Sequence, residues 1–390
     1  LPSTASCDLR LDLMTEAIIN PYLELAAPGI FGLKPYVPGK PVSELERELG
    51  IQGALKLASN ENPLGPSPRA REAAIAAAAD LARYPDGSGV ALRAALAEHH
   101  GLASDRVTLG NGSNDVLDTV ARTFLGPGTE AIVSEHAFAV YAISTQAVGA
   151  TLQVAPAHDG SLGPCFGHDL DAMADLVGER TRLVFIANPN NPTGTWVPLD
   201  ELLEFLQALP DHVMAVVDEA YIEYVDEPEY PDASRWLVEL PNLIVTRTFS
   251  KAYGLAGLRI GYGLSDPDVA ELLNRVRQPF NVNAPAQAAA LAALDDQGHI
   301  RRSVALNRQG MAQLTSAFEE LELDYIPSVG NFVALDLGSP AAEIDQALLH
   351  EGVITRPIAG YGMPNHLRVT IGLPEENARF LAALRKVLRS

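Results

Sequence analysis

Cysteine is nearly absent from this 390-residue chain, and positive charge is in short supply. Two cysteines, Cys7 and Cys165, cannot build a disulfide framework, and neither sits in a metal-ligand spacing. Lysine and arginine number 28 against 49 aspartates and glutamates, a formal net charge of -21. A nucleic-acid surface needs a basic face, so no nucleic-acid partner is expected. The same imbalance means that an anionic substrate must be held by local arginines against an unfavourable background. No apolar run approaches the roughly 18 residues of a membrane-spanning helix, so no membrane partner is expected. The chain has no GxGxxG for a dinucleotide, no GxxxxGK[ST] loop and no HExxH, and its histidines are scattered. No metal site is expected. Residues 1–13 lack the cationic start and apolar core of a signal peptide, and read as an extension or disordered leader before Met14. A reducing cytoplasm is the simple reading of these absences.

What is present is globular: 47% hydrophobic and 20% charged residues. The length exceeds what one simple core serves, so two domains are expected. Short apolar runs at 107–109, 131–133, 151–154, 183–187, 213–217, 243–248 and 258–263 alternate with helix-length segments. That alternation predicts an α/β fold with a mainly parallel sheet covered by helices on both faces. From Pro285 the order changes to helices near 285–295 and 299–321, a strand at 331–335, a helix near 340–351, strands near 353–356 and 367–371, and a terminal helix. This predicts a smaller α+β domain. The expected division is an N-terminal arm and part of the small domain at 14–65, a large domain at 66–284 and a small C-terminal domain at 285–390. Pro21 to Pro41, rich in proline and glycine, reads as an extended arm lying against something such as a second subunit.

Sheets of this kind bind ligands beyond the carboxyl ends of their strands, and several polar clusters fall there. Leu243–Thr246 leads to Thr248, Ser250 and Lys251 on a glycine-interrupted turn, with Arg259 eight residues after the lysine. A buried-strand lysine must be solvated, paired or chemically used. It is either an ordinary ion-pair partner or, with its pKa lowered by partial burial, a group able to form a Schiff base. The hydroxyls and the arginine suit a phosphate. Val107–Leu109 runs through Gly110-Asn111-Gly112-Ser113-Asn114 into a helix, either a phosphate cradle or a helix start capped by Ser113 or Asn114. Phe138, after the next strand, is placed to stack on a flat ring or to fill core. Asn191, in Asn188-Pro189-Asn190-Asn191-Pro192-Thr193-Gly194, is a donor toward a phenolic oxygen or part of an elaborate loop. Asp218 ends a buried strand and needs a partner: a protonated pyridine nitrogen, a buried arginine or a helix N-terminus.

A lysine, a carboxylate, a phosphate cradle, an aromatic and an arginine at strand ends together suit pyridoxal 5'-phosphate (PLP). Here the chain resembles the fold-type I PLP enzymes, specifically the class I/II aminotransferases of the histidinol-phosphate type. The matching pieces are Ser59-Asn60-Glu61-Asn62-Pro63, Arg83-Tyr84-Pro85, Gly110-Asn111-Gly112-Ser113, Asn190-Asn191-Pro192-Thr193-Gly194, Asp218-Glu219-Ala220-Tyr221, Ser250-Lys251 through Arg259, and Leu367-Arg368-Val369-Thr370-Ile371-Gly372. The resemblance spans about residues 40–390 in family order. It implies a fold-type I transferase in which Lys251, Asp218 and Tyr221 carry the catalysis. Lys251 would hold the cofactor and move the substrate's α-proton, Asp218 would pair with the ring nitrogen, and Asn191 and Tyr221 would bond the ring oxygen. Phe138 would stack on the ring. Gly112, Ser113, Asn114, Thr248, Ser250 and Arg259 would surround the phosphate, and Tyr84 would reach a neighbouring subunit's cofactor phosphate. Arg368 and Asn60 would meet the substrate, and Arg356 is either a group for the distal anion or an exposed surface arginine. It further implies a homodimer with shared active sites and transamination of histidinol phosphate with 2-oxoglutarate. One departure is Leu64, where members of the family often carry tyrosine. An aromatic aminotransferase or an amino-acid phosphate decarboxylase on the same scaffold is the nearest rival, and a nicotinamide-dependent oxidoreductase a more distant one.

Overall fold

The computed structural model describes residues 20–389. The expectations for residues 1–13 and for a start at Met14 lie outside the described residues. Residues 20–41 form an irregular arm with two short 3-10 turns, Leu23–Leu25 and Pro28–Ile30. Tyr22, Leu25, Phe31, Tyr36 and Val37 on this arm are all exposed.

After the Val42–Leu49 helix comes a two-residue strand, β1 (Leu55–Lys56). The seven apolar runs expected to form one sheet do so: β2 (Val107–Gly110), β3 (Glu130–Ser134), β4 (Thr151–Ala155), β5 (Thr181–Ala187), β6 (Met214–Asp218), β7 (Leu243–Thr248) and β8 (Gly261–Leu264). Their order is β2-β8-β7-β6-β5-β3-β4. The β3–β4, β3–β5, β5–β6 and β6–β7 pairs are parallel, and β8 runs antiparallel to both its neighbours. Both faces of the sheet are covered, which is why its strands read as continuous apolar runs. Val184 and Ile186 of β5 join one core, while Leu183, Phe185 and Ala187 join the core on the opposite face. The run expected at 258–263 begins later than predicted. Ala256–Leu258 is a 3-10 turn, and Arg259 adopts a left-handed conformation that no strand permits.

The smaller unit is built on β9 (Tyr325–Ile326), β10 (Phe332–Asp336), β12 (Arg356–Pro357) and β13 (His366–Thr370), while β11 (Val353–Ile354) pairs with β1. The single strand expected near 353–356 is thus two strands of different sheets, separated at Thr355. Leu55 and Leu57 pack into the core of this unit with Phe318, Phe380 and Leu384.

The expected boundary at 284/285 lies at the start of a helix whose buried residues join the large core. The Ala284–Leu294 helix buries Ala286, Ala289, Ala290 and Ala293 in the large core, packed against the Pro68–Ala77 helix. Alanine on both surfaces permits that close approach. The 24-residue Gln297–Glu320 helix then spans both units: Ile300 lies in the large core, and Leu314, Ala317 and Phe318 lie in the small one. Core membership therefore changes within this helix.

Candidate active site

The parallel strands deliver their carboxyl ends to one cavity of about 360 Å³. Register determines what meets there. Asp218 and Thr246 are paired residues of β6 and β7, so both side chains leave the sheet on the same face. The Thr246 hydroxyl donates to Asp218 Oδ1 at 2.9 Å, and the Tyr141 hydroxyl donates to Oδ2 at 2.7 Å. Tyr141 is itself stacked on Phe185 of β5, centroids 4.9 Å apart. Burial raises the Asp218 pKa, which the two hydroxyls and the Lys251 ammonium oppose. No arginine pairs with this carboxylate among the contacts of the described residues, so the buried-arginine alternative falls away. Its remaining capacity faces the cavity.

Lys251 follows β7, and its Nζ donates to Ser59 O at 3.2 Å. Burial first, then the Arg368 guanidinium, lowers its pKa to about 8. The turn that presents it closes through Gly254 N–H donating to Lys251 O at 2.9 Å. Gly254 has φ +70°, and a Cβ there would stand 2.2 Å from Gly65 O, so only glycine fits.

The Ser113–Phe124 helix opens at Gly112 with no side-chain cap. The capping alternative for Ser113 and Asn114 therefore fails, and the first amides are left for an anion, with the helix dipole behind them. Arg259 lies across this end: a Cβ on Gly112 would be 2.3 Å from its Nη2. Arg259 Nη1 donates to Ser250 Oγ at 3.4 Å, and Ser250 N–H donates to Thr248 Oγ1 at 3.1 Å. Two hydroxyls, a guanidinium and a helix N-terminus thus converge, the donor set of a phosphate site.

At the opposite side of the cavity, Arg368 of β13 is 94% buried, with 6% of its surface accessible. Its Nη2 donates to Ala58 O at 2.6 Å, its Nη1 donates to Asn191 Oδ1, and Nε has no partner. Arg356 is its paired residue across β12–β13. Two like charges directly opposed on one face repel, and an anion bound between them removes the repulsion. Asn60 Nδ2 donates to the Tyr221 hydroxyl at 2.9 Å, which leaves the phenol's own proton free for another acceptor. Asn191 spends its oxygen on Arg368, which leaves its amide N–H groups as donors. Phe138 lines the same cavity.

Of the residues singled out in the sequence, Asn60, Ser113, Asn114, Phe138, Asn191, Asp218, Tyr221, Thr248, Ser250, Lys251, Arg259, Arg356 and Arg368 line this cavity, and Gly112 supports it from behind. Tyr84 does not: it is 82% exposed and stacked on Phe280, centroids 4.7 Å apart. Sequence reasoning gave no role to Tyr141 or Thr246. A signal existed for Tyr141, three residues after Phe138 at a helix start, but its target depends on the packing of that helix over β5 and β6.

The aminotransferase class I and II family matches residues 52–384. A histidinol-phosphate aminotransferase 2 from Pseudomonas fluorescens Pf-5 is 61% identical over 94% of this chain and 98% of its own length. The chain belongs to the class I and II aminotransferases. A second relative, the histidinol-phosphate aminotransferase 2 of Methylococcus capsulatus, is 59% identical over 93% of this aminotransferase and 98% of the relative. The crystal structure of histidinol-phosphate aminotransferase from Sinorhizobium meliloti, in complex with pyridoxal-5'-phosphate, superposes with TM-score 0.84 at 31% identity, covering 93% and 97% of the two chains. The fold-type I α/β architecture expected from the sequence is thus the fold of this aminotransferase.

Proposed function

We propose that this aminotransferase uses PLP to transfer the amino group of histidinol phosphate to 2-oxoglutarate, in histidine biosynthesis. The observation that carries the reading is the charge pattern of the cavity: Lys251, Arg259, Arg356 and Arg368 face a single carboxylate, Asp218. Such a cavity takes up dianions from a solution that the protein's net charge of -21 would otherwise repel. Two anion sites stand at opposite walls, one at the Ser113 helix and Arg259, one at Arg356 and Arg368. The first holds the cofactor phosphate. The second holds the phosphate of the donor or a carboxylate of the acceptor, so one site serves both partners in turn. The names of the relatives support the substrate pair.

When bound, the cofactor supplies a carbonyl that takes the amino group and a ring that withdraws electrons. Lys251 Nζ, with a pKa of about 8, is neutral in an appreciable fraction of molecules at neutral pH. With the cofactor bound, Lys251 would hold it through Nζ and, as the neutral amine, would take and return the α-carbon proton. Asp218, whose carboxylate form the Tyr141 and Thr246 hydroxyls favour against burial, would accept the hydrogen bond of the ring nitrogen. Tyr221 and Asn191 would donate to the ring oxygen, and Phe138 would pack against the ring.

The homodimer is part of this proposal. The exposed apolar arm and the exposed Tyr84–Phe280 stack support it, because a large apolar surface calls for a partner. A cytoplasmic setting accords with an exposed free thiol at Cys165. The test is a half-reaction screen with purified holoenzyme, following the cofactor absorbance with histidinol phosphate, phenylalanine, tyrosine and phosphothreonine. Histidinol phosphate is expected to give the highest kcat/KM. A faster reaction with any of the other three would replace this substrate assignment. Mixing Lys251→Ala with Tyr84→Ala subunits tests the shared site: activity should partly return in hybrid dimers.

A further inference from the structure

A second cavity, of about 700 Å³, opens in the crevice between the two units. The large unit contributes the 158–168 hairpin and the segment Thr195–Pro198; the small unit contributes Asp324–Pro327, Asp336 and His366. Its size is that of a small-molecule site. Its charge is the inverse of the catalytic cavity's: Glu201, Asp324 and Asp336 line it, with no lysine or arginine. Three imidazoles, His158, His168 and His366, also line it, and His366 Nε2 stands 3.7 Å from Asp336 Oδ2. His168 donates through Nε2 to Ala187 O, 2.9 Å away, and burial lowers its pKa to about 4. His366 is likewise lowered by burial, against the opposing pull of Asp336. The walls are apolar and aromatic, with Phe166, Trp196, Tyr325 and Ile326. Leu162 at the rim is 91% exposed. Aromatic faces beside carboxylates that no lysine or arginine of the lining offsets suit an organic cation and disfavour an anion.

Two elements connect this crevice to the catalytic cavity. The loop after β5 places Asn191 in one and Thr195 and Trp196 in the other. Strand β13 places Arg368 in one and, two residues earlier on the same face, His366 in the other. The two elements meet in the bond from Arg368 to Asn191 Oδ1. We propose that the crevice is a binding site for a small organic cation with an aromatic or aliphatic body, and that its occupancy alters the grip of Arg368 on the substrate anion. The coupling half rests on the substrate role proposed above for Arg368; the binding half does not.

The probe is benzyltrimethylammonium, which has no N–H and cannot react with an aldehyde cofactor. Calorimetric titration of holoenzyme should show saturable single-site binding with Kd on the order of 0.1–10 mM, while benzenesulfonate shows none. The Asp324→Asn, Asp336→Asn double variant should weaken the probe by about ten-fold or more while turnover without probe stays normal. If that variant misfolds, Glu201→Gln on the exposed helix start gives a milder version of the same loss. Saturating probe should shift the KM of the anionic donor. Absence of saturable binding, binding indifferent to the carboxylate substitutions, or direct competition between probe and donor would each overturn the site. Binding with an unchanged KM would overturn the coupling and leave the site standing, whatever the identity of the amino donor.

Discussion

Replacing Tyr141 with phenylalanine removes one oxygen and keeps the ring that stacks on Phe185. What is lost is the 2.7 Å hydrogen bond to Asp218 Oδ2; the Thr246 bond to Oδ1 remains. A hydrogen bond to a charged group contributes about 1.5–3 kcal/mol, and this one stabilises the carboxylate over the acid. Without it the Asp218 pKa should rise further, beyond the elevation that burial imposes. A higher Asp218 pKa draws the shared proton from the ring nitrogen to the carboxyl group and weakens the ring as an electron sink. The single-turnover half-reaction of the Tyr141→Phe enzyme should slow by about ten- to a hundred-fold, with little change in donor affinity. Stopped-flow absorbance measures the rate, and a pH titration of the cofactor spectrum should show the ring nitrogen losing its proton at lower pH. Thr246→Val should act in the same direction, and the double variant should be non-additive because both hydroxyls serve one carboxylate. A folded Tyr141→Phe enzyme with rate and spectrum within about two-fold of the parent would refute this account of Asp218.

Lys251→Ala should still bind PLP through the phosphate site yet lose transamination; near-normal turnover would remove the lysine from the mechanism. The lowered Lys251 pKa also has a stability consequence with a definite sign. Between the folded value of about 8 and the usual value near 10.5, the unfolded chain binds more protons than the folded one, so cofactor-free protein should gain stability as pH rises through this window. Comparing its denaturant midpoints with those of Lys251→Met, from pH 7.5 to 10.5, should show the wild type gaining on the variant by about 2–3 kcal/mol. Arg356→Ala should raise KM for anionic donors by about ten-fold or more with a smaller effect on kcat, because the guanidinium binds and does not react. Steady-state kinetics on both half-reactions would check it, and a kcat-only loss would contradict the binding role. Asp218→Asn should cripple the chemistry while leaving the thermal melt nearly intact, and an unchanged rate would end its electronic role.

Much of this was legible without coordinates. The apolar runs that became β2 to β8 announce a sheet buried on both faces, since only such strands are continuously apolar. Lys251, Asp218, Asn191 and Gly112 could be found because each follows directly on such a run, where the chain must leave the sheet. The partners of Asp218 could not. Tyr141 and Thr246 reach it through helix packing and strand register, and neither leaves a periodic trace. Ala284–Leu294 is a related case: it has the composition of a buried helix, but alanine does not say which core will receive it.

The sequence by itself determined the order of elements, the carboxyl-end location of the chemistry and the residue types available for it. These follow from hydrophobic period, turn residues and the scarcity of cations, all local properties of the chain. Only the tertiary structure decided which groups meet. It set Arg356 opposite Arg368, emptied the N-terminus of the Ser113 helix of any side-chain cap, and gathered carboxylates without cations in a second crevice. Those outcomes depend on register and on the packing of segments up to about three hundred residues apart, such as Ala58 and Arg368.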